Sequence, residues 1–195
     1  MKRYRKILES SGVSEAFQKK IFENFNCRRD PILVKAKKSA VDYAENFDGI
    51  RTTKHNSIAF VGQVGAGKTH LAAAISNYLM QSGVGVLYAN YRDIITYLKQ
   101  NLMDEENYQR EINKYKRAAV LFIDDLFKGK REKDDNIIYE IVNHRYFAGL
   151  PMIITTEFDF DKWIDFDEAI GSRLTEICEG RVVNLEGADN YRLVG

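Results

Sequence analysis

A chain of 195 residues, 45% of them hydrophobic, is long enough to bury one full-size core without staples. Its two cysteines, Cys27 and Cys178, lie far apart with no Cys or His at ligand spacing, which excludes a zinc site and a disulfide framework and sets reduced, cytoplasmic chemistry as the expectation; with no membrane-length apolar run and no signal-peptide pattern, no membrane partner is expected. The net charge of +1 is unevenly divided: residues 1–40 hold eleven Lys or Arg against four Asp or Glu, a net of +7 that leaves −6 for the rest, so a basic arm either meets nucleic acid or an acidic protein or is a solvated helical face.

Residues 1–46 predict a short helical lead-in without strands, and residues 47–195 the main domain. Ser14-Glu15-Ala16-Phe17 reads as a helix cap and first turn, and Asp30-Pro31 sets a capping side chain before a proline at the first helical position. Leu33, Val34, Ala40, Val41 and Ala44 continue that second helix to near Asn46. Ser57 to Val61 then reads as a buried strand. Directly after it, Gly62-Gln63-Val64-Gly65-Ala66-Gly67-Lys68-Thr69 fits the phosphate-loop pattern G-x-x-x-x-G-K-[ST] at every fixed position. The glycines let backbone N–H groups turn inward on a polyphosphate, the next helix aims its positive end there, Lys68 adds a point charge, and the Thr69 hydroxyl suits Mg2+. Leu71, Ile75, Tyr78 and Leu79 recur at helical spacing, completing the strand, loop and helix that the motif requires; an incidental glycine-rich turn lacks these flanks.

After this helix the chain alternates. Val84 to Ala89 is a predicted strand, Tyr91 to Leu102 and Asp104 to Lys116 are predicted helices, and Ala119 to Ile123 is an unbroken apolar strand of the kind buried on both faces. A helix carrying Ile137, Ile138, Ile141 and Val142, a strand at Met152 to Ile154, a helix from about Asp167 to Cys178 and a last strand at Val182 to Leu185 follow. Five strands alternating with helices predict a parallel, doubly wound sheet with its ligand at the strands' carboxyl ends. Asp124-Asp125 falls at such an end. Asp124 is assigned to Mg2+ and Asp125 to the attacking water, the alternative being a pair that merely opens a loop. Thr156, with Thr155 behind it, is the candidate for positioning the lytic water or reading the γ-phosphate, although Thr is also a good strand former. Arg173 either pairs weakly with Glu176 at i+3 or reaches a neighbouring subunit's nucleotide as an arginine finger.

Gly67-Lys68-Thr69-His70-Leu71-Ala72, Phe122-Ile123-Asp124-Asp125-Leu126, Asn143-His144-Arg145-Tyr146, Gly171-Ser172-Arg173-Leu174 and Asn190-Tyr191-Arg192-Leu193 together resemble the DnaC/DnaI-type helicase loaders of the AAA+ ATPase group, particularly the phage-borne kind. The resemblance runs from about Phe22 to Leu193. It implies an AAA+ core that binds ATP and Mg2+ through Gly62 to His70, and an ATPase that helps place a replicative DNA helicase on single-stranded DNA as a homo-oligomer with Arg173 as finger. It also implies a DNA-contacting insertion at Tyr91 to Lys116. Three departures stand out. Glu157 occupies the sensor position where such proteins often carry Asn, and a carboxylate there would repel a γ-phosphate; no helical C-terminal lid domain is expected, which leaves Arg192 without a second-sensor role; and only the lead-in stands where a helicase-binding domain normally sits. An IstB-like transposition helper, a nucleotide-gated interaction module and a small-molecule kinase are the alternatives, the last lacking an arginine-rich lid segment. Lys99, Arg110, Lys114, Lys116 and Arg117, with Lys128, Lys130, Arg131 and Lys133, are the candidate DNA-facing cations. From Tyr91 to Arg117 the six basic and five acidic residues predict weak, salt-sensitive binding.

Overall fold

The computed structural model describes residues 7, 9, 11–27, 30–129 and 135–191. The lead-in contributes α1 (Glu15–Gln18), capped by Ser14, and α2 (Pro31–Glu45). Asp30 Oδ1 accepts from the N–H groups of Ile32 (2.7 Å) and Leu33 (3.4 Å), so a carboxylate fills α2's orphan donors while Pro31 presets its first turn. A one-turn helix, α3 (Phe47–Ile50), joins it to β1 (Ile58–Val61). Then come α4 (Lys68–Gln81), β2 (Val86–Asn90), α5 (Tyr91–Gln100), α6 (Glu105–Arg117), β3 (Val120–Leu126), α7 (Asp135–Ala148), β4 (Met152–Thr156), α8 (Phe160–Phe166), α9 (Glu168–Ile177) and β5 (Val182–Asn184).

The five strands form one parallel sheet in the order β2-β3-β4-β1-β5, so β4 lies between the phosphate-loop strand and the strand bearing the aspartates. Strand side chains divide by parity, as a pleated ribbon requires. Ile58, Phe60, Phe122 and Ile153 face a core shared with the lead-in and α4, whereas Ala59, Val61, Ile123 and Ile154 face a second core built with the helices from α5 onward. Burial on both faces explains why β1 and β4 read as continuous apolar runs. The lead-in is part of this packing: Phe17, Phe25, Leu33, Ala36 and Tyr43 share one cluster with Phe60, Leu71 and Ile75. Asn77 of α4 fixes it further, its amide donating to the carbonyls of Phe17 (3.1 Å) and Lys20 (2.9 Å).

The turns α3 and α8 were not foreseen from the sequence, and β3 continues through both aspartates to Leu126. No helix among the described residues is long and apolar enough to cross a membrane.

Candidate nucleotide site

The loop from Gly62 to Gly67 leaves β1 and enters α4 without a side-chain cap, so the helix's first N–H groups face the cavity. Glycine is required by space as well as by angle. Gly62 has φ 135°, and a Cβ there would stand 2.8 Å from the Leu185 carbonyl carbon; Gly67 has φ 90°, and a Cβ would meet the Phe25 ring at 2.8 Å. Gln63 braces the loop from outside, donating to the Ala188 carbonyl (2.7 Å) and accepting from Gly187 N–H (3.2 Å). Val64 is half exposed and Ala66 buried.

A cavity of about 240 Å³ opens over this loop, lined by the stretch from Val64 to His70 and by Lys20, Asp125, Lys128, Glu157 and Tyr191. Lys68 is only 6% exposed, and its Nζ donates to the carbonyls of Gly62 (2.7 Å) and Gln63 (2.8 Å). Burial pushes its pKa down, and the carboxylates of Glu157, Asp125 and Asp124 oppose that shift. His70 Nε2 donates to the Ile21 carbonyl at 3.0 Å, and burial holds its pKa below the usual value. Tyr191 donates its N–H to the Gly65 carbonyl (2.7 Å) and stacks on Phe25, ring centroids 4.9 Å apart and planes 6° from parallel, so the lead-in and the segment after β5 meet above the loop.

Asp124 is buried beneath the cavity. Its Oδ1 accepts from the hydroxyls of Thr69 (2.9 Å) and Thr155 (2.5 Å), and its Oδ2 from Tyr88 Oη (3.4 Å). Burial raises its pKa, while the two threonine hydrogen bonds work in the opposite direction. A hydroxyl and a carboxylate from facing elements form a hard oxygen pair of the type Mg2+ takes alongside nucleotide phosphates and water. Among the described residues no group of three or more His, Cys, Asp or Glu converges as a cage, and Mg2+ with a nucleotide needs none. The Thr155 hydroxyl also accepts from Asp125 N–H (2.9 Å), tying both aspartates to β4.

Asp125 has φ 56° and Phe127 φ 66°, two non-glycine residues in left-handed backbone, and the β3–β4 register shifts between Ile123 and Leu126. The chain therefore doubles back, and Lys128 Nζ reaches Glu157 Oε1 (2.7 Å) and Asp125 Oδ2 (3.3 Å). Lys128, grouped above with DNA-facing cations, thus belongs to the cavity; Lys130, Arg131 and Lys133 lie outside the described residues, as do Arg192 and Leu193.

Two sequence candidates sit apart from the cavity. Thr156 is fully buried, its hydroxyl donating to the Leu126 carbonyl (2.9 Å), so the threonine that touches the aspartates is Thr155. The reason is parity: Thr155 shares the α4 face with Asp124, and Thr156 points to the other. Arg173 donates to the Ala169 carbonyl (2.6 Å) and lies over the rings of Tyr139, Tyr146 and Phe147, 5.5–5.9 Å from their centroids. Glu176 is engaged instead by Lys54 and by Tyr146 Oη, which take the place of the i+3 pair that was one of the two alternatives for Arg173. Of the insertion cations, Lys114 and Arg110 pair with Glu111 and Lys116 with Glu140. Lys20, Lys128 and Tyr191 were missed as site residues; the only sequence signal for the second was a lysine close behind the aspartates.

A parallel sheet in this order, with a phosphate loop on one inner strand and paired aspartates two strands away, defines an ATP-binding domain of the AAA+ P-loop fold. The chain belongs to the family described as IstB-like ATP binding protein, whose model matches residues 3–193. It is 36% identical to YqaM of Bacillus subtilis over 95% of this chain and 61% of that protein. It is 30% identical to the replicative helicase loader DnaC of Buchnera aphidicola over 72% of this chain and 56% of that protein, so it spans less than two thirds of either relative. The crystal structure of the DnaC helicase loader superposes with a TM-score of 0.73 over 88% of this chain and 99% of that one, at 21% identity, a likeness of fold.

Proposed function

We propose that the chain is a helicase loader, using ATP with Mg2+ to help place a replicative ring helicase on single-stranded DNA in the cytoplasm. The observation that carries this reading is the seating of the lead-in on the nucleotide site. Phe25 packs on Gly67 and Tyr191, the Ile21 carbonyl bonds His70, and Lys20 lines the cavity, so a protein gripping the lead-in acts on the phosphate loop directly. A small-molecule kinase has no use for such a connection. Similarity to a named helicase loader supplies the partner class.

In this reading Lys68 and the N–H groups of the loop and α4 hold the phosphates, and Thr69 with Asp124 would hold Mg2+, which would supply positive charge to offset that of the phosphates. Asp125 orders the attacking water, supported from below by Thr155. Arg173, outside its own cavity on an aromatic shelf beside the exposed Phe147, serves a neighbouring subunit in a homo-oligomer. With Arg110, Lys114 and Lys116 already engaged by acids, single-stranded DNA is held weakly and through several copies. A transposition helper is the second reading, favoured by the family to which the chain belongs.

The test is the ATPase rate with and without single-stranded DNA and a replicative ring helicase from the same cell. A loader responds to both. Response to duplex DNA and a transposase alone favours the helper, and a rate indifferent to all of them removes both readings.

A further inference from the structure

Lys128 and Glu157 form a charge pair that the reaction described above does not use. The lysine backbone is held on both sides: Phe127 is buried, and the Lys128 carbonyl accepts from Arg92 Nε (3.1 Å). Its side chain remains 38% exposed, with the ammonium at the cavity wall between Glu157 at 2.7 Å and Asp125 at 3.3 Å. Left-handed residues at 125 and 127 cost backbone energy that the surrounding structure must offset, and what the turn they make delivers is Lys128.

We propose that Lys128 is a ligand for the third phosphate of a bound nucleoside triphosphate, held in readiness by Glu157 and released from Asp125 when that phosphate arrives. An ammonium has three donors in rotatable array, so it keeps the short bond to Glu157 while exchanging the long one to Asp125 for a phosphate oxygen. The exchange has two effects. Glu157 meets the nucleotide already neutralised, which removes the repulsion that a lone carboxylate at this position would exert. Asp125 gives up its cation only when a γ-phosphate is present, so it becomes free to orient water with a triphosphate and stays occupied with a diphosphate. The pair therefore discriminates ATP from ADP through a contact additional to that of Lys68, which reaches the β- and γ-phosphates from the loop.

The inference rests on the reading of the cavity as the ATP site, and the test separates the two. ATP and ADP affinities of the full chain are measured by calorimetry with Mg2+ for wild type, Lys128→Met, Glu157→Gln and the double variant, with thermal melts to verify folding. Loss of one charge-assisted phosphate contact and exposure of Glu157 lowers ATP affinity in Lys128→Met about tenfold or more while ADP changes less than about threefold. Glu157→Gln added to Lys128→Met recovers part of the lost ATP affinity, because the unpaired carboxylate is gone. Equal losses for ATP and ADP, no loss, or a double variant no better than Lys128→Met overturns the proposal while the ATP site stands. A wild-type chain that binds neither nucleotide overturns both.

Discussion

At the scale of single residues, the two aspartates sit 1 position apart in sequence yet in different environments, and their variants should part accordingly. Asp124, buried and bonded by Thr69 and Thr155, is the proposed metal ligand, so Asp124→Asn is expected to weaken the Mg2+ dependence of ATP binding. Asp125→Asn keeps Mg-ATP binding but slows hydrolysis, by about 10²–10⁴-fold if the carboxylate orients and polarises the water. Because Asn tolerates left-handed backbone well, this variant should melt no lower than wild type. Steady-state turnover beside Mg2+ titrations of nucleotide affinity checks both; normal hydrolysis in both variants would make the carboxylates structural. Much of this site was readable in advance, since the loop from Gly62 to Thr69 and the aspartates are local patterns. Lys128 was not, and Thr155 was read only behind Thr156. The first needs a reversal made by two non-glycine residues in left-handed backbone, which no propensity signals, and the choice between the threonines turns on which face of β4 meets Asp124, which follows from parity only once the strand pairing is known.

Among the elements, helix α7 carries the clearest structural lock. Arg145 is fully buried, and its guanidinium donates to the carbonyls of Tyr115 (2.9 Å), Lys116 (3.2 Å) and Ala118 (2.9 Å) at the end of α6 and to Pro151 (2.7 Å) at the entry to β4. Part of the Asn143 to Tyr146 signature is thereby explained as architecture. Arg145→Met removes the guanidinium donors from the Tyr115, Lys116 and Ala118 carbonyls and leaves Pro151 only the Leu121 N–H (3.2 Å), which should cost at least about 3 kcal/mol, read as a melting temperature lower by roughly 6–12 °C. The lead-in has a pH-dependent fastening. Asp30 caps α2 with one oxygen and accepts from Asp189 N–H (3.0 Å) with the other, and that bond, with the two cap bonds, holds its pKa below the usual carboxylate value. A carboxylate more acidic in the folded than the unfolded chain stabilises fully above its unfolded pKa and loses that contribution as pH falls through the folded one. Asp30→Ala should therefore cost about 1 kcal/mol near neutrality, and the gap from wild type in denaturant melts should close as pH is lowered below about 4. Strands and long helices were legible because burial on one or two faces imposes a period. The turns α3 and α8 were not, since 4 and 7 residues are too few to show one.

At the scale of the whole molecule, the sheet order places the phosphate loop, the aspartates and β4 side by side and leaves Arg173 on another surface. Hydrolysis should then depend on assembly. Arg173→Ala is expected to bind ATP nearly normally and turn it over poorly, with a loss approaching the roughly 10³–10⁵-fold that a finger in trans supplies. Mixing it with Lys68→Ala, which keeps the arginine but lacks the loop cation, should restore activity that neither shows alone. No recovery from proteins that demonstrably co-assemble would confine Arg173 to its own chain. The arginine's mounting has one more consequence. Gly171 lies so close to α8 that a Cβ would stand 2.6 Å from the Trp163 carbonyl oxygen, which makes α8 and α9 a single rigid arm. Trp163 is the chain's sole tryptophan and is fully buried at that junction. Its fluorescence is thus a built-in optical probe of the arm: blue-shifted and shielded from acrylamide in the isolated subunit, and altered only by events that loosen or re-seat the helices presenting Arg173.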